Sequence, residues 1–415
     1  MSTSANHREC PVCGALDARP VYHQRFAVED DGTRIAGYHV VVCRPCGAVY
    51  ADGIPSQKVL DAYYRDSSKY EFLEERGEPP AWLTRSHADL VAGLTKYLPG
   101  RETVIVDVGC GNGDVLGMLK KAGYRHLLGV DPAPGSPEAA HRVHGVRVVP
   151  GSALALPADV DGAGCIIFSA VLEHLRDVQA ALRAAAASVA AGGLVYAEVP
   201  DLERFDLEIL PPFQQFSVEH INFFTVASLE NVAAQVGLEM TAHWQALREI
   251  GPSEEPALCA VFRRSAPRRR PAERDATGEA AVRRYIEACA RFEEEVASRI
   301  DALVAAATPV ILWGVGTHAL HLLESTSLRN ANIVALVDAN PRLHGMRVAN
   351  ARVAGPETVA ERPEALLICS PLRQDEIVRM ARESYAMSNS VLTLYGSPPP
   401  AAAPDPEQRR TGEGP

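Results

Sequence analysis

Two adjacent residues in the segment PFQQFSVEHINFFT, Glu219 and His220, have the side chains of an acid–base pair. Histidine changes its charge near neutral pH, so it is well suited to remove a weakly acidic proton. The surrounding stretch is too irregular for the stripe of an amphipathic helix. A core histidine with one hydrogen-bond partner is the alternative interpretation, and the rest of the chain has to decide between the two.

Four of the nine cysteines form two matching pairs. CPVCG contains Cys10 and Cys13, CRPCG contains Cys43 and Cys46, and each pair precedes a glycine that allows the tight turn of a metal knuckle. The residues between the pairs are predicted to form two strands joined at EDDG. The doubled spacing predicts a four-cysteine zinc ribbon, and four unrelated buried thiols are the alternative. Four thiolate ligands leave zinc no open position for water, so the metal is expected to be structural.

A nucleotide-binding βαβ unit is predicted from the segment TVIVDVGCGNGDVLGMLKKAGYRHLLGVD. An apolar strand runs into a loop with Gly109, Gly111 and Gly113, and after a helix the second strand ends in Asp131. Such glycines let the backbone approach a ligand closely. A carboxylate at the end of the second strand can accept both hydroxyls of a ribose.

The loop sequence DVGCGNG resembles motif I of class I S-adenosylmethionine (SAM) methyltransferases rather than the GxGxxG of NAD enzymes. The resemblance implies that Asp107 lies beside the cationic end of SAM and that Ser169, at the end of the fourth strand, belongs to the cofactor site. Ser152 stands where many relatives have an Asp that recognises the adenine amine, so backbone groups near Ala153 are expected to take that role. Another doubly wound fold with a different ligand is the alternative.

A second Glu-His pair lies in the segment VLEHL, as Glu173 and His174. Many SAM enzymes of unrelated chemistry have this pair at the same place. The resemblance therefore leaves open whether His174 lines the cavity as a catalytic residue. Glu173 is expected to serve local structure.

The C-terminal part of the chain repeats the strand–glycine–helix–strand pattern in PVILWGVGTHALHLLEST and NIVALVDANPRLHG. Gly314 and Gly316 form the turn, and Asp338 ends the second strand. Ala319 stands in place of the third glycine, so ligand binding and a role in the fold alone both remain open.

The length of 415 residues predicts two or three domains, all of the α/β class apart from the small ribbon. No apolar run approaches eighteen residues, and the N-terminus lacks the apolar core of a signal peptide, so we expect a cytoplasmic protein without membrane contact. The net charge of -11 argues against nucleic acids as partners. The predicted divisions are a zinc ribbon (1–55), a SAM methyltransferase domain (56–264), a linker (265–277), a C-terminal Rossmann-like domain (278–396) and a disordered tail (397–415).

With these parts in order, the chain up to about residue 396 resembles the sugar C-methyltransferase family, which acts on deoxysugar nucleotides in antibiotic pathways. EHINFFTVASLENVAAQVGLE is similar to the family's EH(L/I)xY(Y/F)S segment, and VDANPRLHGMRVANARVAGPETV is similar to its D-x-N-P-x-K-x-G stretch. The resemblance implies a zinc domain, a SAM domain and a C-terminal Rossmann-like domain. It also implies that His220 is the general base, with Glu219 as the carboxylate beside it.

Two departures from the family concern the sugar side of the site. Ser217 stands where the family usually has a tyrosine, and the family's Gly-Gly-Ser run is absent. A tyrosine that lines the substrate is expected from Tyr63, Tyr64 or Tyr70.

The expected function is SAM-dependent C-methylation next to the ketone of a nucleotide-linked deoxysugar. O- or N-methylation of another small molecule is the main alternative. A non-catalytic scaffold and an NAD oxidoreductase are further alternatives, although the oxidoreductase would lack a catalytic Tyr-Lys pair. The sequence indicates neither the acceptor nor the oligomeric state.

Overall fold

The computed structural model describes residues 7–28, 34–66, 81–207, 209, 211–250, 253–266, 272–349 and 351–395. Contacts between Cα atoms divide the chain into two compact units. The first unit comprises Met1–Val21, His39–Leu207 and Glu219–Val282, and the second comprises Tyr22–Tyr38, Glu208–Val218 and Arg283–Pro415. The predicted boundaries at residues 55, 264 and 277 remain predictions, and the predicted tail lies outside the described residues.

A four-stranded sheet contains the two strands predicted between the cysteine pairs. In sheet order its strands are β1 (Ala18–Arg25), β2 (Gly37–Cys43), β3 (Val49–Asp52) and β9 (Asn222–Phe223). The N–H of Gly14 donates to the carbonyl of Cys10, and the N–H of Gly47 donates to that of Cys43. These two glycines have φ angles of 74° and 80°, so each knuckle needs the left-handed backbone that glycine adopts most easily.

The pairing of β3 with β9 brings the Glu219–His220 segment to the zinc-ribbon sheet. Val49 is opposite Phe223 and Tyr50 is opposite Asn222 in an antiparallel register. The strand that follows His220 is therefore held by main-chain hydrogen bonds to a strand that begins three residues after Cys46.

A seven-stranded, mostly parallel sheet forms the centre of the first unit. Its strands, in chain order, are β4 (Val104–Val108), β5 (His126–Asp131), β6 (Arg147–Pro150), β7 (Ala163–Ser169), β8 (Val189–Pro200), β10 (Leu238–Ile250) and β11 (Ser253–Arg264). Their order across the sheet is β10-β11-β8-β7-β4-β5-β6, and only β10 and β11 run antiparallel to their neighbours. The order reverses between β4 and β7, which is where a doubly wound sheet opens a ligand crevice at its carboxyl edge.

Helices cover both faces of this sheet because its strands are apolar on both sides. Ile105 and Ile167 pack in one buried cluster with α2 (Ala81–Leu94) and α3 (Asp114–Lys121). Val106 and Phe168, the next residues along the same strands, pack in the opposite cluster with α5 (Val178–Ser188) and α6 (Val226–Gln235). Two further helices are α1 (Gln57–Asp66) and α4 (Ser136–His144).

The second unit contains a six-stranded sheet of the same doubly wound kind, with the order β14-β15-β13-β12-β16-β17. Its strands are β12 (Val310–Trp313), β13 (Ile333–Val337), β14 (Arg347–Val348), β15 (Ala351–Ala354), β16 (Ala365–Ile368) and β17 (Val391–Thr393). All pairs are parallel except β14 with β15. The helices of the C-terminal segment are α7 (Gly278–Ala305), α8 (Thr317–Ser325) and α9 (Gln374–Glu383). The predicted α/β fold with two Rossmann-like sheets is confirmed.

Among the described residues, no helix combines the length and the apolar character needed to cross a membrane.

Candidate active site

The loop after β4 contains the three predicted cofactor-binding glycines, all in the left-handed backbone region. Their φ angles are 77° at Gly109, 51° at Gly111 and 76° at Gly113. A Cβ atom on Gly109 would lie 2.6 Å from Cγ2 of Val171. Glycine is therefore needed at position 109 for the backbone conformation and for the close approach of the segment that follows β7.

Asp131 ends β5, as predicted, and its buried carboxylate holds the glycine loop. Oδ2 accepts a hydrogen bond from the N–H of Gly111 at 2.8 Å. Oδ1 accepts from the N–H of Ala133 at 2.8 Å and from the hydroxyl of Ser136 at 2.9 Å. A carboxylate offers about four acceptor positions. About one therefore remains here, and binding both ribose hydroxyls would require one of these bonds to open.

Asp107, within β4, is only 3% exposed. Burial, followed by the charges of Asp131 and Asp114, raises the pKa of its carboxyl group to about 7. A cation at this place would favour the ionised carboxylate. That property suits a residue beside the cationic end of SAM, the contact predicted for Asp107.

The other predicted cofactor residues follow strand ends at the same edge of the sheet. Ser152 comes after β6, and its carbonyl accepts a hydrogen bond from the N–H of Ala155 at 3.1 Å. Ala153 is buried beside it. Ser169 is the last residue of β7. The carboxyl ends of β4, β5, β6 and β7 meet at one edge, so these residues share the predicted SAM-binding edge, while their individual contacts with SAM remain predictions.

The two Glu-His pairs, which are 46 residues apart in the chain, lie side by side in the first unit. A short 3₁₀ turn, Leu172–His174, follows β7. Nδ1 of His174 donates to the carbonyl oxygen of Glu219 at 3.0 Å, and the N–H of Ile221 donates to the carbonyl of Glu173 at 2.8 Å. The ring centroids of His174 and His220 are 5.1 Å apart.

Glu173, which we expected to have only a structural role, provides the carboxylate of this cluster. Its side chain is almost fully buried, and Oε1 lies 3.8 Å from Nε2 of His174. One ligand atom each of Glu173, His174 and His220 lies within 4.8 Å of the others. Because a carbonyl oxygen only accepts hydrogen bonds, Nδ1 of His174 carries the proton and Nε2 is the unprotonated nitrogen when the ring is neutral. Two imidazoles and a carboxylate could hold a divalent cation as well as move a proton.

Two residues outside the sequence prediction, Arg8 and Asn222, link this cluster to the rest of the first unit. Nδ2 of Asn222 donates to the carbonyls of Leu172 and Leu175, both at 2.8 Å. Arg8 donates to Oδ1 of Asn222 at 2.7 Å. Asn222 lies in the EHINFF segment but was not singled out as a site residue, and Arg8 lies outside every motif and reaches the site through the contacts of the ribbon sheet.

The predicted substrate residues have little or no described surroundings. Tyr63 and Tyr64 lie in α1, but their side chains are outside the part of the chain that the structure describes. The whole of Tyr70 is also outside it. Ser217 is buried in the second unit, and its carbonyl accepts a hydrogen bond from the hydroxyl of Tyr38 at 3.0 Å. The roles of these four residues remain predictions.

The four cysteines of the knuckles are close enough for one metal ion. Sγ of Cys10 lies 3.6 Å from that of Cys46, and Sγ of Cys13 lies 3.5 Å from that of Cys43. Four sulfur atoms at about 2.3 Å from a tetrahedral zinc ion would be about 3.8 Å from one another. The cluster thus fits the predicted zinc ribbon in donor type, number and spacing.

The turn of the second unit resembles that of the first. Gly314 follows β12 with a φ of 95°, and the N–H of Val315 donates to Oδ2 of Asp338 at 3.0 Å. Oδ1 of Asp338 accepts from the N–H of Asn340 at 2.8 Å. Asp338 therefore stabilises its own glycine turn, a role that needs no ligand, and nucleotide binding at this turn remains open.

A comparison with protein families gives the class of the first unit. Residues 81–243 match a family model described as a methyltransferase domain. This segment is a methyltransferase domain. It contains the glycine loop, Asp131 and both Glu-His pairs, so the predicted enzyme class, SAM-dependent methyltransferase, is confirmed. No curated protein matches the chain.

Several solved structures, two of them titled as methyltransferases, are similar to about half of the chain. The SAH-bound magnesium protoporphyrin IX methyltransferase from Synechocystis PCC 6803 is 14% identical and covers 50% of this chain and 99% of its own, with a TM-score of 0.39. The methyltransferase domain of a bacterial protein named CtHen1-C is 19% identical over 45% of this chain and 100% of its own, with a TM-score of 0.35. The PH0226 protein from Pyrococcus horikoshii OT3 is 16% identical over 49% of this chain and 96% of its own, with a TM-score of 0.36. Similarities of this size do not indicate a substrate.

Proposed function

We propose that this methyltransferase transfers the methyl group of SAM to a carbon next to the ketone of a nucleotide-linked deoxysugar, with His220 as the general base. The main support is the cluster of His220, His174 and Glu173, whose ligand atoms lie within 4.8 Å of one another. Two imidazoles and a buried carboxylate gathered at one place are suited to move a proton or to hold a cation.

The cluster is next to the loop that is expected to hold SAM. Val171, which contacts Gly109, directly precedes the Leu172–His174 turn. A base attached to this turn can therefore act on an acceptor atom beside the methyl donor.

The reaction needs a carbon nucleophile, which the acceptor does not have before it loses a proton. His220 takes the proton from the carbon next to the ketone, and the electron pair of the broken C–H bond moves onto the ketone oxygen as an enolate. Bound SAM supplies an electrophilic methyl group, which the enolate carbon attacks as the S–CH₃ bond breaks. The buried Glu173 carboxylate stabilises the imidazolium that carries the proton.

Deuterium exchange tests this proposal without the methyl transfer step. The protein is incubated in deuterium oxide with nucleotide-linked keto sugars and without SAM, and exchange at the carbon next to the ketone is followed by proton NMR. We expect exchange in the wild type and none above background in His220→Ala. Absence of exchange in the wild type with every keto sugar, combined with methylation of any acceptor at oxygen or nitrogen, would reject C-methylation.

One observation favours O-methylation as a second candidate. A divalent cation held by Glu173, His174 and His220 would lower the pKa of an acceptor hydroxyl. Under this alternative, methylation stops when a chelator is added and returns with the added ion, and carbon-13 NMR of the product from labelled SAM finds the methyl group on oxygen. C-methylation by His220 predicts a carbon-bound methyl group and no requirement for an ion in this cluster.

A further inference from the structure

A buried arginine outside every motif, Arg8, connects the two Glu-His pairs to the zinc knuckle. Its side chain is 5% exposed and lies over the ring of Tyr50, with its guanidinium carbon 5.1 Å from the ring centroid. One terminal nitrogen donates to the carbonyl of Ile221 at 2.6 Å and to Oδ1 of Asn222 at 2.7 Å. The cation therefore binds the main chain and the side chain immediately after His220.

Asn222 passes this contact to the other Glu-His turn. Its amide nitrogen donates to the carbonyls of Leu172 and Leu175, on either side of Glu173 and His174. Asn222 is 2% exposed. If its amide moved, the carbonyl of Leu175 would lose this hydrogen bond, and that of Leu172 would keep only the 3.4 Å bond from the N–H of Leu175. The bond that Arg8 makes to Oδ1 also fixes which end of the amide faces the turn.

The N-terminal side of Arg8 is held in the zinc ribbon. Its own N–H donates to Oδ1 of Asp52, at the end of β3, at 2.8 Å. Two residues later comes Cys10, the first predicted ligand of the zinc ion. The next two residues, Pro11 and Val12, accept hydrogen bonds through their carbonyls from Gln179 of α5 in the methyltransferase domain. The path from a thiolate of the metal site to the catalytic segment is therefore short and buried.

From this geometry we infer that Arg8 is a positioning residue. It holds the Glu219–Asn222 segment against the Leu172–Leu175 turn and makes the spacing of His220 and His174 depend on a filled zinc site. This inference rests on the proposed function in one respect, because the first of its two tests measures turnover. The planar guanidinium stacks on Tyr50 while one of its nitrogens donates to both acceptors. The ammonium group of lysine has enough donors for the two acceptors but no planar face to stack on the ring.

The first test measures turnover in Arg8→Ala and Arg8→Lys. We expect Arg8→Ala to lower kcat by about 10- to 100-fold, the effect of displacing a catalytic group by roughly 1 Å, with unchanged SAM affinity and acceptor KM. Arg8→Lys should keep more of the wild-type kcat than Arg8→Ala does. Added methylguanidine should raise the kcat of Arg8→Ala and leave that of the wild type unchanged. Arg19→Ala is the matched control, because it removes the same charge from the ribbon sheet outside the knuckles, where the side chain is 35% exposed and pairs with Glu279.

The second test needs no acceptor, so it remains valid if the proposed function fails. Nitrogen-15 NMR of labelled histidine should detect a slowly exchanging Nδ1–H of His174 in the zinc-loaded wild type and in Arg19→Ala. The signal should be lost in Arg8→Ala, and also in wild type from which a chelator has removed the zinc, while SAM affinity is retained in both. Chelation should add little to the effect of Arg8→Ala, because both changes break the same link.

Three results would overturn the inference. One is an Arg8→Ala protein that keeps both its kcat and the His174 signal. Another is a loss of kcat that equals the loss of SAM affinity and of folded protein, which would mean that Arg8 supports the whole unit and not the spacing of the two histidines. The third is a zinc-free protein with wild-type histidine spectra.

Discussion

Single residues at the carboxyl edge of the methyltransferase sheet have different electrostatic roles. The side chain of Asp131 accepts three hydrogen bonds, and through them it holds the glycine loop. Asp107 lies nearby in β4, and its burial raises the pKa of its carboxyl group to about 7. Without a ligand, part of the Asp107 population is therefore protonated at neutral pH. A cationic ligand would compensate the negative charge of Asp107 when its carboxyl group is ionised.

The raised pKa of Asp107 predicts how stability depends on pH. The unfolded carboxyl group ionises near 3.8, whereas the folded one keeps its proton up to about 7. Between these values the folded state binds one more proton than the unfolded state, so each unit of rising pH lowers the free energy of unfolding by roughly 1.4 kcal/mol through this group. Chemical denaturation of wild type and Asp107→Asn should give curves that are closest near pH 4 and separate up to about pH 7, where Asp107→Asn is the more stable.

Ionisation of Asp107 should strengthen SAM binding, although it lowers the stability of the free protein. Because the cation favours ionised Asp107, SAM affinity of the wild type should increase as the pH rises towards and through 7. Asp107→Asn should bind SAM more weakly, without this dependence. Equal pH profiles of SAM binding in the two proteins, measured by calorimetry, would show that Asp107 does not face the cationic end.

The roles proposed for His220, Glu173 and Glu219 predict losses of activity of different size. His220→Ala should lower kcat by about 100-fold or more and leave SAM affinity nearly intact, the usual result of removing a general base.

Glu173→Gln should lower kcat strongly, because Glu173 supplies the buried carboxylate of the cluster. Glu219→Gln should have the smaller effect, because the contact of Glu219 with His174 is made by its main-chain carbonyl. A larger loss in Glu219→Gln than in Glu173→Gln would return the role of the carboxylate to Glu219.

At the scale of elements, the methyltransferase site is the meeting of two loops and a short strand. The glycine loop after β4 touches the segment after β7, and that segment is bonded to the chain entering β9. Each loop is placed by a parallel strand buried on both faces, so the position of the site follows from the packing of the sheet. A single substitution at Gly109 can test the close packing of this loop against Val171.

Gly109→Ala should damage both the loop and SAM binding. The added Cβ would lie 2.6 Å from Val171 at a φ of 77°, where a non-glycine residue costs about 1–2 kcal/mol before any clash. We expect a lower melting temperature and weaker SAM binding. Gly100→Ala is the control, because a Cβ at Gly100 meets no atom within 4 Å. The prediction is wrong if both variants bind SAM like the wild type.

At the scale of the whole molecule, the sheet of the four-cysteine ribbon is joined to the segment that carries the proposed base. β9, the strand that follows His220, pairs with β3 of the ribbon. The knuckle cysteines Cys10, Cys43 and Cys46 also belong to the same buried cluster as α5 and α6 of the methyltransferase domain. Loss of the metal should therefore affect more than the ribbon.

Elemental analysis of the purified protein should find about one zinc ion per chain, bound by the four knuckle thiolates. Cys43→Ser should lower the zinc content and the melting temperature, because a thiolate ligand is lost from a site that contributes to folding. Cys369→Ser, at a buried cysteine of the second unit, should keep the zinc content of the wild type. A protein that is fully folded and active without tightly bound metal would exclude a structural zinc site.

Local sequence patterns were sufficient to predict the zinc knuckles, the glycine loops and both Rossmann-like sheets. Each of these depends on residues close together in the chain: two cysteines three residues apart, glycines at left-handed positions, and apolar strands that end in an acid. The physical requirements of such features, a turn that only glycine adopts easily or a strand buried on both faces, leave a signal in a short segment. His220 could be selected as the candidate base for the same reason, through its adjacent Glu219 and its family resemblance.

Only the tertiary structure decided which side chains surround that base. Glu173 and His174 are 46 residues away from Glu219 and His220 in the chain, and Arg8 is more than 200 residues away. They meet because β9 pairs with β3 and because the turn after β7 is bonded to the chain before β9. No local pattern encodes such contacts, because they depend on the register of strands from distant segments and on hydrogen bonds to main-chain carbonyls. Every residue type has such a carbonyl, so these bonds leave no mark in the sequence.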